Sequence, residues 1–134
     1  MTAVRFPVGH VAVRNALRRV LEARSEPYAR GVTVSTTVPP GAPPSIPYVL
    51  VGLDDSGRDA RLNGYALVRV TVYHRDEPDA FDLAALCEAL LLDVSDAEVR
   101  AVQPTNGPTP TNDPDSGAPL AFFRVTARLR PTNL

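Results

Sequence analysis

Tyr65-Ala66-Leu67-Val68-Arg69-Val70-Thr71-Val72-Tyr73-His74 runs almost directly into Asp76-Glu77-Pro78-Asp79-Ala80-Phe81-Asp82-Leu83-Ala84-Ala85-Leu86-Cys87-Glu88-Ala89-Leu90-Leu91, and the period changes between the two. In the first segment Ala66, Val68, Val70 and Val72 alternate with Leu67, Arg69, Thr71 and Tyr73. That period of two, rich in β-branched residues, predicts a strand with one core face and one mixed face. In the second segment Leu83, Leu86, Cys87, Leu90 and Leu91 recur at helical spacing. Asp76, Glu77 and Asp79 place acidic groups at the positive end of the helix dipole, and Pro78 is tolerated in its first turn.

The same two periods extend outward. Val13, Ala16, Leu17, Val20 and Leu21 form an apolar stripe within Val8–Arg24, a second helix, with Pro7 in its first turn and Pro27 at its end. Arg18 and Glu22 fall off the stripe, four apart, and are expected to pair weakly. Val32 to Val38 alternates as a half-buried strand. Pro39, Pro40, Gly41, Ala42, Pro43, Pro44, Ser45, Ile46 and Pro47 then read as a loop, because proline cannot donate to a ladder. Tyr48 to Leu53 predicts a buried strand closed by a turn at Asp54, Asp55, Ser56 and Gly57, and Asn63-Gly64 is a second turn signal. Val99, Ala101 and Gln103 suggest a short strand. Pro104 to Pro119 carries almost nothing apolar and is expected to stay a loop that orders only on assembly. Leu120 to Arg130 closes as a strand, with Phe123, Val125, Ala127 and Leu129 facing inward and Phe122, Arg124, Thr126, Arg128 and Arg130 facing outward. The order α-β-β-β-α-β-β over residues 1–134 predicts one α+β domain: a mostly antiparallel or mixed sheet with two helices on one face.

Composition narrows the function classes. All 14 basic residues are arginine, giving fixed charges able to make forked contacts with carboxylates or phosphates. The net charge is −1, which lacks the basic excess of a dedicated nucleic-acid binder. Cys87 is alone, so there is no internal disulfide or multi-cysteine metal site, and a reducing, cytoplasmic setting is expected. No stretch approaches the roughly 18 apolar residues of a membrane span.

No catalytic motif is legible. His10 and His74 lack metal-ligand spacing with each other or with Cys87, and surface or packing roles are expected. Cys87 sits on an apolar helix face as a small buried hydrophobe. Asp54, Asp55 and Asp59 lack the full calcium-loop pattern. Neither a phosphate-binding glycine loop nor a nucleophile elbow is present. No enzyme, cofactor or metal is therefore expected. The Arg124, Arg128 and Arg130 face beside Phe122 could meet nucleic acid, but a solvated face or subunit contact fits the near-zero net charge better.

Taken together, the opening helix followed by a strand and a proline-rich loop, the strand 67–73 leading into the helix 79–91, and the closing Phe122-Phe123-Arg124-Val125-Thr126-Ala127-Arg128-Leu129-Arg130 resemble the tail terminator proteins of long-tailed bacteriophages, especially those infecting actinobacteria. The resemblance implies a structural virion protein, assembled in the host cytoplasm. It would form a ring, commonly a hexamer, on the last ring of tail-tube protein. There it stops tube growth and joins the tail to head-tail connector proteins, while DNA passes through the lumen without specific binding. Two alternatives stand beside it: a head-completion or neck connector protein, and a small-ligand-binding regulatory α+β module. From the residues themselves, subunit or tube contacts are expected at Pro39, Pro40, Pro43, Pro44 and Ile46, where proline lowers the entropy of ordering. Arg124, Arg128 and Arg130 are expected to pair with carboxylates such as Asp54, Asp55 or Glu77 of an adjacent copy.

Overall fold

The computed structural model describes residues 3–38 and 45–134. In chain order it contains β1 (Val4–Arg5), α1 (Gly9–Glu22), a 3-10 turn (Pro27–Ala29), β2 (Thr33–Ser35), β3 (Tyr48–Ala60), β4 (Asn63–Tyr73), α2 (Glu77–Leu92), β5 (Val99–Asn112), β6 (Pro119–Leu129) and β7 (Thr132–Asn133). The fold is α+β. A five-stranded mixed sheet has the order β2-β3-β4-β6-β5, parallel only between β2 and β3, and β1 and β7 add a small antiparallel ribbon that ties together the two ends of the described chain.

The alternation read from 65–74 decides how the layers stack. Ala66, Val68, Val70 and Val72 are wholly buried and lie opposite Ala127, Val125, Phe123 and Ala121 of β6, which are equally buried. Val49 and Val51 of β3 and Val99 and Val102 of β5 extend the same apolar layer. Both helices contact it: Ala12, Val13, Ala16, Leu17 and Leu21 from α1, and Ala80, Leu83, Ala84, Cys87 and Leu91 from α2. The acidic start predicted for α2 is built as expected, since the Asp76 carboxylate accepts the Asp79 backbone N–H at 2.9 Å.

Several local readings change. The helix α1 begins at Gly9, so Pro7 precedes it, and Arg18 reaches the Val34 carbonyl of β2 rather than Glu22. The predicted strand Val32–Val38 is regular only over Thr33–Ser35. Asp54 to Gly57 is no turn. β3 continues through it to Ala60 with register shifts at Leu53/Asp55 and Arg58/Ala60, and the chain reverses at Arg61-Leu62, leaving Asn63 and Gly64 inside β4. Bulges of this kind let a strand absorb extra residues without losing its ladder.

The segment Pro104–Pro119 is likewise mostly strand. β5 pairs with β6 as far as Asn112↔Pro119, and only the tip 113–118 turns. Its prolines are compatible with this because β5 is an edge strand whose far side has no ladder to supply. Gly107 sits at φ +84°, where a Cβ would approach the Phe122 carbonyl oxygen to 2.7 Å, so glycine is required both for the conformation and for the space.

Gly9 marks the closest approach of helix to sheet: a Cβ there would collide with the Cβ of Ala66, which cannot move aside. Replacing Gly9 by alanine gains up to about 1 kcal/mol of helix propensity, whereas overpacking against a rigid sheet costs about 1–3 kcal/mol. The expected outcome for Gly9→Ala is a net loss, read as a lowered urea midpoint with an unchanged slope.

Candidate functional site

A strand buried on one side by the even positions of β4 presents its odd positions on the other. Tyr65, Leu67, Arg69, Thr71 and Tyr73 lie opposite Arg128, Thr126, Arg124, Phe122 and Leu120. This face is closed at one end, where Tyr48 and Leu120 are buried on either side of Tyr73 and the Tyr48 hydroxyl donates to the Thr37 carbonyl, and it is half-exposed from Phe122 to Arg128. The register therefore sets Arg69 directly across from Arg124, a pairing of like charges that is unfavourable by itself.

Asp54 resolves it. The register shift beside Leu53 makes Asp54 the extra residue of β3, and its Oδ2 accepts Nε–H from Arg124 at 2.8 Å and from Arg69 at 3.2 Å. Both guanidinium groups also lie over the Phe122 ring, with Cζ 5.9 and 5.5 Å from its centroid. Partial burial pushes the Asp54 carboxyl up, but the hydrogen bonds from Arg124 and Arg69 outweigh it, so the group ends below its ordinary value. One carboxylate between two arginines leaves this cluster with one net positive charge. A second unit repeats the design: Arg128 stands over Tyr65 at 5.8 Å and bonds Asp59 at 2.7 Å.

The expected contact residues divide accordingly. Arg124, Arg128 and Asp54 are brought onto one surface, and the carboxylates they pair with belong to the same chain. Arg130 leaves the row, because it lies beyond β6 and bonds the Asp96 carbonyl at 2.6 Å and the Ser95 hydroxyl at 3.1 Å. Asp55 is exposed and its Oδ1 accepts the Ser56 N–H. Ile46 is exposed, while Pro39, Pro40, Pro43 and Pro44 lie outside the described residues. Phe122 was read beside the arginines of the last strand, whereas Arg69 and Tyr65 were not expected as members of a site. The outward parity of Arg69 and Phe122 was readable, but their juxtaposition depends on which strands are neighbours.

His74 and Cys87 are engaged elsewhere. His74 is buried, its Nε2 donating to the Tyr28 carbonyl at 2.7 Å while Nδ1 accepts the Arg75 N–H at 2.9 Å. Complete burial pushes the Cys87 thiol up to about 12, far from nucleophilic use. Among the described residues no group of three or more His, Cys, Asp or Glu gathers as a metal site, and no helix is long and apolar enough to cross a membrane. A depression of about 570 Å³ lined by Arg18, Glu22, Arg24 and Arg30 lies between the end of α1 and β2, open to solvent and away from His74 and Cys87. The sequence matches no protein-family model and no curated protein.

Asp54 has a depressed folded-state pKa, so its contribution is present above the unfolded carboxylate range and is lost as pH falls through the folded value. Asp54→Asn is expected to lower stability by about 1 kcal/mol at neutral pH, the scale of a partly solvated ion pair. Denaturant melts across the acid range should show the gap between variant and wild type closing toward zero, and added salt should narrow it at neutral pH.

Proposed function

We propose that the chain is a structural assembly protein of the tail-terminator type, which closes into a ring on the last ring of a phage tail tube, ends tube polymerisation and presents the surface that joins tail to head. The observation that carries this reading is the outward sheet face: beyond the closed end at Tyr48 and Leu120 it displays Arg69, Arg124, Arg128, Tyr65 and Phe122 at half-exposed positions. Arginine and large aromatic side chains are the residue types enriched where proteins meet one another.

The mechanism is steric. A ring laid on the growing end of the tube covers the polymerising surface, and the opposite side of the ring becomes the platform for connector proteins. Rings arise when the surface one copy uses to grip differs from the surface by which it is gripped, and the rotation between copies closes. The edges of the sheet favour closure over open-ended strand addition. Pro104, Pro108 and Pro110 remove N–H donors from β5, and β2 is only three residues long. A net charge of −1 suits a lumen through which DNA passes without being held.

The test is direct. Tube protein from the same phage is polymerised with and without the chain, and products are imaged by electron microscopy. Expected are shorter tubes whose ends carry one additional ring, with the number of ends rising in proportion to added chain. Tubes of unchanged length with bare ends, together with a strict monomer by mass photometry when tube protein is present, would overturn the proposal.

A further inference from the structure

The outer side of α2 differs in charge from the outward side of the sheet. The segment of α2 contains Glu77, Asp79, Asp82 and Glu88 and no basic residue, whereas the outward side of the sheet carries Arg69, Arg124 and Arg128 against Asp54 and Asp59 of β3, one positive charge in excess. The helix is also apolar beyond its buried stripe. With Ala80, Leu83, Ala84, Cys87 and Leu91 turned to the core, Phe81, Ala85, Glu88, Ala89 and Leu92 follow one another at i, i+4, i+7, i+8 and i+11 along an adjoining, outward flank. Phe81 is 39% and Leu92 38% exposed. A helix with apolar residues on both faces is one that expects cover on both. Glu88 lies among these residues. Partial burial pushes its carboxyl up, and it has no hydrogen bond or ion pair among the described residues.

The open sheet face offers the matching chemistry. Tyr65, Leu67 and Phe122 are half-buried apolar surface. Arg69 and Arg124 spend their Nε–H groups on Asp54, and their Nη groups make no hydrogen bond within the described chain, so the forks retain donors for a second carboxylate. The two surfaces point in opposite directions, since the helices lie on the other side of the sheet, so one copy cannot satisfy itself. Two-fold pairing is disfavoured on charge: sheet face on sheet face joins two surfaces that each carry one positive charge in excess, and α2 on α2 sets carboxylates against carboxylates. The pairing of unlike surfaces joins apolar to apolar and the acidic helix to the face with excess positive charge.

We propose that the outer face of α2 docks on the open sheet face of a second copy of this chain, with Phe81, Ala89 and Leu92 packing over Leu67 and Phe122 and the Glu88 and Asp82 carboxylates meeting Arg69 and Arg124. This specifies which surfaces meet between ring subunits, and so rests on the assembly reading above. The sheet is then buried on both faces, helix–sheet–helix, across each subunit boundary.

The experiment uses mixed cysteine variants of the full chain and a short bifunctional thiol cross-linker. Cys87 stays silent because it is wholly buried. Copies carrying Ala89→Cys are mixed with copies carrying Thr126→Cys. The expected result is cross-linked dimers in the mixture and none in either variant alone, and a chain carrying both cysteines gives a ladder of oligomers. Glu88→Arg should lower the cross-link yield about tenfold, and Arg124→Glu in the other copy should restore it. Should the Arg124→Glu protein fail to fold, the cysteine arm, which leaves every ion pair intact, decides. No cross-link above that of the single variants, or dimers from Ala89→Cys alone, overturns the proposal. So does a labelled single-stranded oligonucleotide that binds the wild type saturably, blocks the cross-link and is released by Arg124→Gln, since that would assign the face to nucleic acid. Tube capping without the cross-link removes this pairing and leaves the assembly reading standing, and the cross-link without capping does the reverse.

Discussion

The period of two across β4 and β6 is the constraint from which the rest follows. Burying Val68, Val70 and Val72 against Val125, Phe123 and Ala121 under two helices fixes the register of both strands, because a slip of one residue would drive Arg69 and Arg124 into the core. Truncating a buried phenylalanine such as Phe123 costs about 3–5 kcal/mol, whereas opposed like charges at a solvated sheet surface cost a fraction to about 1 kcal/mol. The core therefore wins, and the Arg69–Arg124 confrontation is its by-product. The bulge at Asp54 answers that confrontation locally, supplying one carboxylate at the place where the register forces two cations together.

How much of this was legible depends on where burial acts on one face at a time. β4 and β6 sit in the middle of the sheet with one face under helices, so their alternation is regular and readable from residues 65–74 and 120–129. The helices α1 and α2 show their spacing for the same reason. The far half of β3 and the part of β5 beyond Gln103 escape, because Leu53 to Arg61 and Gln103 to Asn112 are exposed on both sides apart from Pro108 and carry no apolar alternation. Their strand character comes from pairing with β4 and β6, a tertiary cause that no local pattern records. Pro104, Pro108 and Pro110 argue against a central strand and are neutral toward an edge, and strand order is what separates those cases.

The candidate site was half visible for a related reason. Arg124, Arg128 and Phe122 share a strand face, so parity alone groups them. Arg69 joins only through the β4–β6 neighbourship, and Asp54 only through a bulge whose trace in the sequence, two adjacent acids after Leu53, resembles a turn. Arg130 shows the opposite error. Parity extends past the end of β6, but the ladder does not, and its side chain turns instead to the loop that precedes β5.

The edges of the sheet offer little to a strand from another copy. At one end of the sheet β2 offers three residues, and the Val34 carbonyl is already taken by Arg18. At the other, β5 is long but interrupted by Gly107 and by prolines that cannot donate, so a strand laid beside it could not form a continuous ladder. Edge-to-edge growth, the common route from exposed sheets to unlimited aggregates, is thereby blunted on both sides. In the pairing proposed above, two surfaces of unlike chemistry on one thin layer would be joined through successive copies, and such a head-to-tail contact either closes into a ring or does not close at all.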